Sequence, residues 1–124
     1  MLIYALALAA SEPSPLTEAH QRDIACVAVI GIIAYEQRAG KTSLQEFPDV
    51  RDPGKRWAGI VGDRIVFETG QPREVVAYAI GLAVDTEQNH VMNIADPKAY
   101  ADARFAACKL IMEEQLTAAD GLTP

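Results

Sequence analysis

Two stretches of this chain are apolar without interruption: residues 24–35, Ile-Ala-Cys-Val-Ala-Val-Ile-Gly-Ile-Ile-Ala-Tyr, and residues 75–84, Val-Val-Ala-Tyr-Ala-Ile-Gly-Leu-Ala-Val. A surface helix carries an apolar stripe on one side only, so a helix that is apolar on every face has to be surrounded. The pattern therefore predicts that the first and third helices form a central pair. Each carries a glycine at its middle, Gly31 and Gly81, at a cost of up to about 1 kcal/mol relative to alanine. A close crossing of the two helices is the expected reason.

Capping residues and prolines divide the chain into four helices. The first starts with Ser14 as N-cap and Pro15 in the first helical position, and stops at Gly40. The second starts at Asp52 and Pro53 and runs to Thr69 before Gly70. The third runs from Pro72 to about Gln88, and the fourth from Asp96 and Pro97 to about Ala118, with Gly121 as the stop. Cap, then proline, then terminal glycine is the asymmetry that helix ends favour. Residues 41–51 have no helical period and contain Pro48, so they read as a connection that Phe47 pins to the body.

In the second helix Trp57, Ile60, Val61, Ile65 and Glu68 recur at helical spacing opposite Arg56, Asp63 and Arg64, which predicts a surface helix. In the fourth, Ala99, Ala103, Ala106 and Leu110 join Phe105, Cys108, Met112 and Leu116 in a broad apolar face. The expected fold class is all-α, a single-domain bundle of four main helices.

The first residues change the picture of where the chain works. Residues 2–10 are apolar, end in small side chains and precede the polar, proline-containing run 11–15. This is the composition of a secretory signal peptide cleaved after Ala9 or Ala10, and the run is too short for a membrane span of roughly 20 residues. No lysine or arginine precedes it; the competing reading is an N-terminal arm packed on its own domain or on a partner. The domain reading is thus residues 1–10 as signal or arm and 11–124 as the helical domain.

Two cysteines, Cys26 and Cys108, stand far apart on the first and last helices. In a periplasmic or secreted protein they are expected to be joined; in a reducing compartment they would be two buried thiols. A bridge needs their Cα atoms within about 7 Å, which a bundle can provide. Without a Cys-x-x-Cys spacing, redox catalysis is not expected.

Aromatic residues make up only 6% of the 124, which suits closely packed helices, and the net charge is -6. An acidic chain is poorly suited to nucleic acid or anionic membranes. The cluster Arg51, Lys55, Arg56 and Trp57 reads as the solvated first turn of a helix with Trp57 turned into the core.

Chemistry-bearing patterns are sparse. His20 and His90 are the only histidines, and neither has companions at metal-ligand spacing, so no metal and no cofactor is expected. His20 and Asp23 lie one turn apart, a spacing that can orient an imidazole but is also ordinary at an exposed helix end. Tyr35 and Glu36 mark the expected position of a polar pocket. Asp63 and Arg64 interrupt an apolar helix and, with Trp57, are candidates for contacting a partner; Arg64 is otherwise expected to pair with Glu68 one turn on.

Three functions compete. The first is an exported, non-enzymatic protein-interaction or chaperone-like module with an unidentified protein partner, able to form a homodimer; its architecture is similar to that of the small, singly disulfide-bonded acid-stress chaperones of the bacterial periplasm. The second is a carrier of a small apolar ligand held between the first, third and fourth helices. The third is an enzyme using His20 and Asp23, or Glu36.

Overall fold

The computed structural model describes residues 12–41 and 46–121. The expected leader, residues 1–10, lies outside the described residues. The described chain forms four helices, α1 (Glu18–Arg38), α2 (Arg51–Thr69), α3 (Arg73–Met92) and α4 (Pro97–Gly121), with no strand among the described residues. The all-α four-helix reading is therefore what the structure shows.

α1 is the central helix and packs against each of the other three. Ile24, Cys26, Val27, Ala28, Val29, Ile30, Ile33 and Ala34 are all buried along it. Its apolar surround is matched to neighbours: Val50, Trp57, Val61 and Ile65 on the α2 side, and Phe105, Cys108 and Met112 from α4. The sulfurs of Cys26 and Cys108 are at disulfide-bonding distance, with Cα atoms 5.0 Å apart, so the pair links the first helix to the last.

α3 departs from its expected place. Only Val76 of its side chains is buried, while Val75, Tyr78 and Leu82 face outward, Tyr78 with 68% of its surface exposed. A bundle of four helices can largely surround only one of them, and α1 takes that position, with Gly31 and Tyr35 still exposed. The uninterrupted apolar text of α3 thus covers α1 with one face and meets solvent with the other.

The glycine expectation is corrected in the same way. Among the described residues a Cβ at Gly31 or Gly81 would meet nothing within 4 Å, so neither marks a close crossing of these helices. That role belongs to Gly54 of α2, where a Cβ would sit 2.8 Å from Cγ2 of Ile30. Gly40 and Gly70 do end α1 and α2 as expected, both with φ of +71°, the left-handed conformation that glycine adopts without a Cβ penalty.

Helix starts differ where a competing bond is stronger. Ser14 does not cap α1, because its backbone N–H donates to the Thr69 carbonyl at 2.7 Å and its carbonyl accepts from Gln71 Nε2 at 2.8 Å. Thr17 caps instead: its hydroxyl accepts from the His20 N–H at 3.1 Å, and its own N–H donates to His20 Nδ1 at 3.1 Å. This is a reciprocal capping box with histidine where glutamate is usual. α2 begins at Arg51, one residue ahead of Asp52, and Asp49 accepts from the Arg51 backbone N–H at 3.0 Å. Asp96 caps α4 as expected, accepting from the Ala99 N–H at 3.1 Å.

Candidate functional site

Two polar clusters are built into the apolar body, and they do different work. The first ties α1, α2 and α4 together around Asp23, which is buried with 3% exposure. Oδ1 accepts from Arg22 Nε at 3.0 Å and Nη2 at 2.8 Å; Oδ2 accepts from Gln115 Nε2 at 3.1 Å and from Arg64 Nη2. Gln115 Oε1 in turn accepts from Trp57 Nε1 at 2.9 Å and Arg64 Nη1 at 3.0 Å. A buried carboxylate that accepts four hydrogen bonds from two guanidiniums and an amide is the satisfied centre of a structural network.

His20 belongs to this end of the bundle but not to Asp23. Its Nδ1 is the acceptor of the cap, so the proton is on Nε2, which donates to Glu68 Oε1 at 2.7 Å. The expected partnerships are therefore exchanged: Arg64 reaches Asp23 instead of Glu68, and Glu68 receives His20. His20 is also buried, not on an exposed helix end, because capping and the bond to Glu68 satisfy both ring nitrogens. Asp63 is exposed and pairs with Arg73 across the α2–α3 corner. Trp57 is fully buried, as the core reading expected.

The second cluster lies at the other end of α1, in a cleft of about 390 Å³ between α1, α3 and α4. Val29, Ile32 and Ile33 form its α1 wall, Val91 and Met92 its α3 wall, Ala101 its α4 wall, and Phe47 closes the loop side. Phe47 is held there by Phe105, ring centroids 4.7 Å apart. The loop is fixed by Gln37, whose amide donates to the Pro48 carbonyl at 2.9 Å and accepts from the Val50 N–H at 3.1 Å.

Glu87, Tyr100 and Arg104 place hydrogen-bonding groups in this apolar wall. Tyr100 donates its hydroxyl to Glu87 Oε2 at 2.7 Å, and Arg104 Nη2 donates to Glu87 Oε1 at 3.2 Å. The Tyr100 ring also packs on His90, centroids 4.6 Å apart. Burial, followed by the bond to the Glu87 carboxylate, pushes the phenol above its ordinary value of 10.0. The Arg104 Nε–H is buried and has no acceptor among the described residues. Glu36, singled out from the sequence, lines the cleft; Tyr35 beside it is exposed and carries the Lys41 ammonium 6.0 Å from its ring centre.

Glu87, Tyr100 and Arg104 were not visible as a site in the sequence, though a signal was present. Val76, Ile80, Ala83, Glu87 and Val91 share one helical register on α3, which puts a carboxylate on the inward face. Two other depressions follow α1 around Gly31, about 560 and 440 Å³. The cleft between α1, α3 and α4 has the most apolar lining of the three, which makes it the stronger candidate for an apolar ligand.

Protein families, curated proteins and solved structures offer no match to this chain. No group of three or more histidine, cysteine or carboxylate side chains is placed to hold a metal ion among the described residues. Among the same residues no helix is long and apolar enough to cross a membrane. The three residues offered for catalysis are divided: His20 and Asp23 serve the capping and ion-pair networks, and Glu36 lies at the opposite end of α1.

Proposed function

We propose that this protein is an exported carrier of a small apolar molecule, bound in the cleft between α1, α3 and α4. The observation that carries the reading is the cleft itself. Its volume falls within the range of roughly 300–1,000 Å³ typical of small-molecule sites, and a mostly apolar lining with a few convergent polar groups is their usual composition. The Cys26–Cys108 pair supports the exported half, because a disulfide persists in an oxidising compartment. A bond between α1 and α4 also holds two of the three walls together, which favours a preformed site.

The test is titration with N-phenyl-1-naphthylamine, an uncharged apolar fluorophore. Saturable fluorescence enhancement at one dye per chain is expected, and Ala101→Trp, which fills the cleft, should abolish it while leaving the helical circular dichroism unchanged. Equal binding by the folded Ala101→Trp protein would overturn the reading.

A second reading, protein interaction, is supported by the outward face of α3. Val75, Tyr78 and Leu82 expose apolar surface around Gly81, where a Cβ would meet nothing within 4 Å among the described residues. Contiguous apolar surface of this kind is where proteins associate, and a second copy packing α3 against α3 is the simplest occupant. Sedimentation velocity decides this: a dimer that Leu82→Glu dissociates supports it, and a monomer at all concentrations removes it.

A further inference from the structure

Of the two histidines only His20 is buried, and both of its ring nitrogens are committed in a way that the neutral ring alone allows. We infer that the start of α1 is an acid-sensitive latch: protonation of His20 breaks its capping box with Thr17 and frees residues 12–17, the strap that joins α1 to the α2–α3 corner. The inference is independent of the carrier reading and invokes no ligand.

A backbone N–H can only donate, so the bond from the Thr17 N–H at 3.1 Å requires a bare Nδ1, and the single ring proton lies on Nε2, 2.7 Å from Glu68 Oε1. A second proton has only Nδ1 to occupy, where it meets the Thr17 N–H head-on. Two donors then face each other unbonded, and swinging the ring away costs Thr17 its acceptor just the same. Among the described residues the other ties of the strap are the Ser14 N–H to the Thr69 carbonyl at 2.7 Å, Gln71 Nε2 to the Ser14 carbonyl at 2.8 Å, and the packing of Leu16 on the core. Thr17 lies between those ties and the helix, so breaking the box loosens the seat of Leu16.

The charges at this end of the bundle set the direction. Glu68 of α2 favours the imidazolium, but its side chain is 45% exposed, and an ion pair so open to water gains little. Against it stand the lost bond of a buried donor and the positive end of the α1 dipole, since His20 is the third residue of that helix. The other charged groups that reach this end are paired away from the ring: Arg22 and Arg64 hold Asp23, Arg73 of α3 pairs with Asp63, and α4 contributes the neutral Gln115. Glu18 in the first turn of α1 and Glu12 on the strap are exposed carboxylates, screened by solvent. The closed latch therefore takes up the second proton less readily than the open strap does, and acid shifts the balance toward release.

Nuclear magnetic resonance of the full chain tests this by following the His20 ring carbons and the amide exchange of Ser14 and Thr17 from about pH 8 to about pH 5, the span over which histidines change charge. Protection of the Thr17 amide, corrected for intrinsic exchange, should fall about tenfold or more with the same midpoint as the ring, the effect of losing one buried hydrogen bond. His20→Gln, whose side-chain oxygen accepts from the Thr17 N–H without a titrating proton, should hold the strap at both ends of the range. Should that variant fold poorly, Glu68→Gln in the same experiment should move the ring and strap midpoints together to lower pH. A protonated ring with Thr17 still protected, midpoints that part in either chain, a ring that stays neutral throughout, or a His20→Gln chain that loosens on acidification as the parent does would each overturn the inference.

Discussion

The carboxylate of Asp23 on α1 accepts a hydrogen bond from the guanidinium of Arg64, 41 residues later on α2, and among the described residues neither group has another ionic partner of comparable burial. Arg22 completes the carboxylate from its more solvent-exposed side, and Gln115 ties the pair to α4. Breaking one half of such a pair strands the other in a low-dielectric surround. Asp23 is the buried partner and Arg64 is partly solvated, so Arg64→Met, which strands the carboxylate, should cost about 3 kcal/mol, whereas replacing Asp23 and Arg64 together with apolar residues of similar size should cost much less. Chemical denaturation of the two variants reads the difference directly.

Loss of the link between α1 and α4 is the second expected weakness. Cys26 and Cys108 are separated by 82 residues, and opening a loop of that length should lower stability by about 3–5 kcal/mol through the freedom it restores to the unfolded chain. Thermal melts of the protein with and without reductant, and of Cys26→Ala/Cys108→Ala, measure this. Equal melting temperatures would show that the bridge contributes nothing.

The two kinds of glycine should respond oppositely to alanine. At Gly54 the new methyl would press on Ile30, which is itself 1% exposed and cannot withdraw, so Gly54→Ala should destabilise by roughly 1–3 kcal/mol. At Gly31 there is open space, and alanine should stabilise α1 by about 0.5–1 kcal/mol. The pair of melting temperatures, one below and one above the parent, is the check.

Titration separates the cleft from the surface. The Tyr100 phenol is held above 10.0 by burial and by Glu87, so the folded state keeps its proton where the unfolded chain has lost it. Its stabilising effect is complete below about pH 10 and disappears as pH rises through the folded value. Ultraviolet titration should show one tyrosine ionising late, and Glu87→Gln should bring it earlier. Asp49 works in the other direction: the side chain and backbone of Arg51 lower it to about 2, so its contribution is present above 3.8 and is lost as pH falls toward 2.

What the sequence revealed and what it hid divide along physical lines. Helix ends at Gly40, Gly70 and Asp96 were legible because each is decided by local chemistry, a left-handed glycine or a capping carboxylate. The central position of α1 followed from its composition, and the pairing of Cys26 with Cys108 from reading the chain as exported, where two such cysteines are expected to be joined. The start of α1 was misplaced because Ser14 is bound by Thr69 and Gln71, residues distant in the chain. α3 was placed too deep because apolar composition says that a helix covers something, not that it is itself covered. A cleft between the first, third and fourth helices, lined in part by Glu36, was anticipated. Its polar side was not, because Glu87, Tyr100 and Arg104 come together only when α3 and α4 fold back on one another.

The measurement that bears most directly on the carrier reading is methyl NMR during titration with N-phenyl-1-naphthylamine. The methyl groups of Ile32, Ile33, Val91 and Met92 should shift together and saturate at one equivalent, while those of Val75 and Leu82 on the outer face of α3 stay still. Shifts confined to Val75 and Leu82, with the cleft methyls unmoved, would contradict the account and place the binding surface on the outside of α3.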